Sequence, residues 1–235
     1  MTRLTPYRLY RILCDCFGPQ HWWPVDSTYH TKRGSDPRFE IMVGTILTQN
    51  TAWTNVEKAL LNLKHEECLT VDALCDVSMS RLKTLIRPSG YFNQKAPRLK
   101  TLACHIKKQY GGSLDTLFSK ETHVVREELL CLSGVGPETA DSMLLYAGDH
   151  PVFVVDAYTK RLNRRLPFPI PDESYDAVQK FYQSQLQKTV PQQELVHVYN
   201  ELHALIVHLA KHVCTKTKPE CTHCPVQGSC DKVFS

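Results

Sequence analysis

Apolar residues recur along this chain at helical spacing, with no convincing strand alternation. After Asp36-Pro37, the residues Phe39, Ile41, Met42, Ile46 and Leu47 mark one apolar helix and Val56, Leu60 and Leu63 a second. The polar block Thr48-Gln49-Asn50-Thr51 separates them. An amphipathic helix is predicted around Tyr7 to Phe17. It runs into Gly18-Pro19-Gln20-His21-Trp22-Trp23-Pro24, where two adjacent tryptophans cannot share one helix face, so a loop presenting aromatic surface is expected. Leu69 to Leu85 reads as a helix pair with Ser78 as a cap. The turn Pro88-Ser89-Gly90 should expose Tyr91, and a basic helix carrying Lys95, Arg98 and Lys100 follows until Gly111-Gly112. Thr122 to Leu132 forms a helix that ends in Ser133-Gly134-Val135-Gly136, with Pro137 suited to the first position of the next. The apolar run Val152-Phe153-Val154-Val155 then delivers Asp156 at the head of AYTKRLNRRL. Pro167 to Asp172 is a proline-rich connector. Two further helices are predicted near Tyr175 to Gln187 and Glu194 to Val213, so the fold class is all-α.

A chain of 235 residues can bury a real core as one domain or two lobes. Its 28 Lys and Arg against 24 Asp and Glu, with 11 His besides, make a mild basic bias compatible with a polyanionic partner. Without a twenty-residue apolar run or a leader-like start, a soluble, cytoplasmic monomer is expected, nucleoid-associated in a prokaryote. Six of the ten cysteines (Cys14, Cys16, Cys68, Cys75, Cys104 and Cys131) are scattered and read as reduced packing residues. The other four, Cys214, Cys221, Cys224 and Cys230, follow one another at intervals of six, two and five residues. Four soft thiolates so close together point to a metal, and on spacing alone zinc and an iron-sulfur cluster are comparable. Lys211, Lys216, Lys218 and Lys232 around them could meet phosphates.

Each candidate site also has a plain structural reading. Asp156 is a good helix N-cap, the Gly-x-Gly turn can join any two helices, and His197 and His203 fit core or surface positions. The unsatisfied amides at the start of the helix after Gly136 are, for their part, a natural seat for a phosphate.

Taken together, the hairpin LSGVGPETAD, the spacing to VVDAY and the cysteine tail resemble the endonuclease III superfamily of DNA glycosylases, with its helix-hairpin-helix plus Gly/Pro-Asp signature. The resemblance implies two helical lobes with an active-site cleft between them. Residues 31–150 would form the bundle with the hairpin, and residues 1–30 and 151–235 a discontinuous catalytic and iron-sulfur lobe. It makes Asp156 the catalytic carboxylate, Gln49 of LTQNT the plug that fills the gap left by a flipped nucleotide, and Tyr91 of GYFNQKA the wedge. Lys95, Gly134, Val135, Gly136 and Thr139 would join the two in binding DNA. Trp22, Trp23, Pro24 and Trp53 would line the base pocket, with Glu138 as an auxiliary. The four tail cysteines would hold a [4Fe-4S] cluster, and the partner would be damaged double-stranded DNA.

One departure bears on the chemistry. Bifunctional members carry a lysine two residues after the second hairpin glycine, and this chain has Glu138 there. A carboxylate cannot form an imine, so simple hydrolysis of the N-glycosidic bond is expected. The combination WWP, LTQNT, RPSGYFNQKA, GVGPETAD and VVDAY looks most like the 3-methyladenine DNA glycosylase III group, which implies alkylated purines as substrates. The cysteine tail departs from that group, where a cluster is not uniform. The alternatives are an oxidised-pyrimidine glycosylase with abasic-site lyase activity through another amine, and a non-catalytic DNA-binding iron-sulfur protein.

Overall fold

Caps written into the sequence set most of the helix boundaries. The computed structural model describes residues 4–170 and 174–230, so Lys232 and the end of the proline-rich connector lie outside the described residues. Side chains of Thr5, Asp26 and Asp36 accept from the first-turn amides of α1 (Pro6–Phe17), α2 (Ser27–Arg33) and α3 (Pro37–Leu47). The chain continues through α4 (Trp53–His65), α5 (Val71–Asp76) capped by Thr70, and α6 (Met79–Leu85) capped by Ser78. Then follow α7 (Phe92–Tyr110), α8 (Leu114–Phe118), α9 (Thr122–Leu130) and α10 (Pro137–Tyr146). Asp156 caps α11 (Ala157–Asn163) and Ser174 caps α12 (Tyr175–Leu186), and α13 (Leu195–His212) precedes the cysteine tail. Among the described residues there is no strand, and no helix is long and apolar enough to cross a membrane.

The chain divides into two compact units, residues 1–22 with 150–235, and residues 23–149. Residues 23–30 thus group with the helical bundle. In that unit every residue of α3 from Phe39 to Leu47 is buried, the mark of a central helix, and α4, α7 and α10 pack around it. Each such apolar side chain contributes roughly 1.5–3 kcal/mol on leaving water. Glu40 is the charged exception, held by His30 Nε2 and Lys64 Nζ at 2.7 Å each. In the other unit α13 packs on α1 and α11, and Phe153 stacks on Tyr182 with ring centroids 4.4 Å apart.

Two expectations are corrected here. Cys75 and Cys104 are joined in a disulfide that ties α5 to α7, because helical packing sets their Cα atoms 4.9 Å apart across 29 residues of sequence. No spacing rule in the sequence signals that meeting. Cys16 and Cys131 are exposed, not packed. The basic helix, expected to offer Lys95 to DNA, turns lysines inward instead. Lys95 is 1 % exposed, and Lys100 Nζ donates to the carbonyls of Cys75 and Val77 at the end of α5.

Candidate active site and nucleic-acid interface

Asp156 follows an apolar run whose four residues are all buried, so its carboxylate is delivered to the N-terminus of α11 with 13 % of its side chain exposed. Its Oδ1 accepts from the Thr159 amide at 2.7 Å and from Thr159 Oγ1 at 2.9 Å. Its Oδ2 lies 3.6 Å from His203 Nε2 on α13. Burial works against the charge, yet His203 and the Thr159 donors outweigh it and hold the carboxyl below its usual range. The carboxylate is therefore both a cap and an ionised, oriented charge. In turn it helps burial push the Tyr182 phenol far up. His203 looked like an ordinary core histidine in the sequence. Its neighbourhood to Asp156 is a contact between helices that no local pattern carries.

The same unit organises the start of the aromatic loop. Buried Glu201, two residues before His203 on α13, accepts from the Gln20 and His21 amides at 2.6 and 2.9 Å. His21 is left-handed at φ 50, and half-buried Trp22 follows it.

In the bundle unit the ring of Trp23 stands edge-on to Trp53 and to Tyr146, with centroid separations of 5.3 and 5.5 Å. Pro24 beside it is exposed. Gly44 makes this possible, because a Cβ there would come within 2.8 Å of the Trp23 ring. Neither Gly44 nor Tyr146 stands out from the apolar helical pattern around it.

The hairpin joins α9 to α10 through Gly134 at φ 80, a backbone state that L side chains resist. Its Cα also faces the arm of Arg98, so a Cβ would collide. Gly136 is the extended N-cap of α10, Val135 is buried, and exposed Glu138 lies in the first turn. Arg126 Nε and Nη2 reach the fully buried Asp141 carboxylate at 2.6 and 3.1 Å, bracing the two hairpin helices.

Gln49 is drawn onto this hairpin. Its Nε2 donates to Gly134 O and to Thr139 Oγ1, both at 3.0 Å, and its Oε1 accepts from Arg98 Nη1 at 2.5 Å. Tyr91, in contrast, is 61 % exposed and left-handed at φ 44, a cost that points to function in a non-glycine residue. Lys95 does not meet the expectation of a DNA contact: its ammonium is buried and donates to Leu47 O, Thr51 Oγ1 and Ser89 O at 2.6–2.8 Å. The register of α7 turns that side chain inward, a direction that charge alone does not reveal.

In the tail, Cys214, Cys221, Cys224 and Cys230 line one pocket together with Arg165. Among the described residues no three His, Cys, Asp or Glu side chains are gathered at ligating distance, so the four sulfurs share walls and not a preformed cage. Arg165, 4 % exposed, places Nη1 3.1 Å from Cys214 Sγ and donates to the Thr215 and Lys216 carbonyls. Four cysteines around one pocket are a donor set that fits a thiolate-ligated group.

Comparison with known proteins matches residues 43–188 to the HhH-GPD superfamily of base excision DNA repair proteins. A Methanocaldococcus jannaschii protein, provisionally named a DNA repair glycosylase, is 43 % identical over 95 % of this chain and 94 % of its own. Endonuclease III of Haemophilus influenzae is 31 % identical, covering 82 % of this chain and 83 % of its own. Among solved structures, Helicobacter pylori 3-methyladenine DNA glycosylase bound to 1,N6-ethenoadenine superposes with a TM-score of 0.68 at 28 % identity, covering 88 % of this chain and 98 % of the other. Endonuclease III in a trapped covalent complex with DNA shares the fold, with a TM-score of 0.75 at 23 % identity over 97 % of each chain.

Proposed function

Because the chain belongs to the HhH-GPD superfamily of base excision repair DNA glycosylases, we propose that it hydrolyses the N-glycosidic bond of alkylated purines in duplex DNA and leaves the strand uncut. Asp156 is the proposed catalytic residue. Its carboxylate stabilises the oxocarbenium-like sugar and orients or deprotonates the attacking water. Alkylation at a ring nitrogen makes the purine a cationic leaving group, which needs no strong general acid. Trp23 and Trp53 supply aromatic faces for such a cation, and Tyr146 holds Trp23 in place. The likeness to a 3-methyladenine glycosylase supports this substrate class. Gln49 and Tyr91 are the proposed plug and wedge, and the hairpin glycines the phosphate contacts.

The observation that carries the hydrolytic reading is Glu138 in the first turn of α10, where an imine-forming lysine would stand in a lyase. The likeness to endonuclease III of H. influenzae favours the other reading, excision of oxidised pyrimidines with strand cleavage by a different amine. Burial, with the Arg98 guanidinium, pulls Lys95 down to about 8, as a nucleophilic lysine requires, but its protons are committed to three acceptors and it is 1 % exposed.

The four cysteines are the proposed ligands of a [4Fe-4S] cluster that ties the tail together when bound, with Arg165 offsetting its negative charge. Duplexes bearing single defined lesions, read with and without alkali and with borohydride, test the proposal. Release of methylated adenine, breaks only after alkali and no trapped adduct are expected. Efficient trapping with excision of oxidised pyrimidines would establish the lyase instead.

A further inference from the structure

Two loops of the bundle unit carry strain in a non-glycine residue at the edge of the candidate DNA surface. Asn50, next to Gln49, is left-handed at φ 53, and Tyr91 at φ 44. Both loops converge on one buried atom. Lys95 Nζ donates to Leu47 O, the last residue of α3, at 2.7 Å and to Thr51 Oγ1 at 2.6 Å, bracketing the Gln49-Asn50 turn. It also donates to Ser89 O at 2.8 Å, in a one-turn 3-10 helix, Arg87–Ser89, that leads through Gly90 to Tyr91. Thr51 Oγ1 reaches across to the same Ser89 carbonyl. Three donors thus meet three acceptors, and the ammonium uses its whole hydrogen-bonding capacity on these segments.

A desolvated charge is an expensive way to hold two turns together. Arg98 on the same helix is the charged neighbour acting on Lys95, and α3, the 48–51 turn and the 3-10 turn offer it neutral oxygens in place of a carboxylate. An ordinary apolar side chain at position 95 would fill the space without that cost, but it would leave the Leu47 carbonyl unsatisfied and only the Thr51–Ser89 hydrogen bond between the two turns. We propose that Lys95 is a positioning residue that locks the Gln49 turn and the Tyr91 turn into one body, so that plug and wedge enter a duplex together. The inference rests on the glycosylase reading for the roles of Gln49 and Tyr91. The lysine itself touches neither base nor sugar.

Lys95→Met and Thr51→Val test the coupling in the full chain, with a duplex carrying a tetrahydrofuran abasic-site analogue that requires no excision. One 2-aminopurine is set beside the analogue to follow gap filling, and in a second duplex one is set opposite it to follow wedging. With the unaltered protein both signals should rise with the same rate constant in stopped flow. In each variant they should separate, one lagging by about ten-fold or more while equilibrium affinity stays within about three-fold, because phosphate contacts dominate binding. A double-mutant cycle should show the two substitutions non-additive. Signals that stay synchronous in a folded variant, or that are asynchronous in the unaltered protein, overturn the proposal. If Lys95→Met does not fold, Thr51→Val, which keeps the side-chain shape, decides alone. A flat signal with the unaltered protein would remove the DNA reading and the coupling with it. A failed lesion panel with synchronous signals would remove only the substrate reading.

Discussion

Asp156 does two jobs that one substitution can separate. In Asp156→Asn the amide oxygen still accepts from the Thr159 amide and hydroxyl, so the cap of α11 survives while the charge is lost. Excision should then fall by about 10²–10³-fold, the typical effect of removing one electrostatic stabiliser, with duplex affinity preserved; single-turnover excision and a binding titration check it. Its pKa gives a second expectation. The carboxyl is held below its unfolded value, so its stabilising contribution is fully present above that value, about 3.9, and is lost as pH falls through the folded one. Melting temperatures of the parent and of Asp156→Asn should therefore run parallel from neutrality to about pH 4 and converge only below it. Convergence that begins near neutrality would mean that the carboxylate is not held in this way.

At the level of elements, the hairpin is a fitted joint. Gly134→Ala would place a methyl both in a left-handed backbone and against Arg98, the residue that also fixes Gln49. We expect a loss of about 1–3 kcal/mol in unfolding free energy and a larger relative loss of duplex binding than Gly136→Ala, whose extended backbone and open surroundings accept a methyl. Denaturant melts and salt-dependent titrations separate the two effects. The all-helical fold and many helix ends were legible because caps such as Ser78 and Asp156 act within a few residues of themselves, whereas the short helices α2 and α8 carried no periodicity long enough to read. The exposure of Tyr91 was legible for the same reason, since a Pro-Ser-Gly turn throws the next side chain outward. What sequence could not supply were contacts made across helices. Lys95 turns inward, His203 meets Asp156, Gly44 receives Trp23 and Cys75 finds Cys104, all at separations that carry no local signal.

For the molecule as a whole, a disulfide ties one stretch of chain, and the proposed cluster would tie a second. Cys221→Ser should leave little soluble protein, since ligation by four thiolates would be part of the folding free energy of the tail; iron, sulfide and zinc analysis of the parent checks the occupant. One zinc and no iron would replace the cluster. Cys75→Ser, or a reductant, should destabilise the parent by up to about 3.5 kcal/mol in a chain-entropy account of a loop of 29 residues, read as a fall in melting temperature. That covalent ring also has a mechanical meaning. It encloses the 3-10 turn, Tyr91 and Lys95, with its two ends anchored on α5 and α7. A side chain that prises bases apart is pushed back by the stack with the same force, at a few kcal/mol per unstacked step. A turn on an open strand would yield to that load. With Tyr91 as the proposed wedge, the recoil would pass into a closed loop, and the stiffness of its frame would set how far that side chain can be driven.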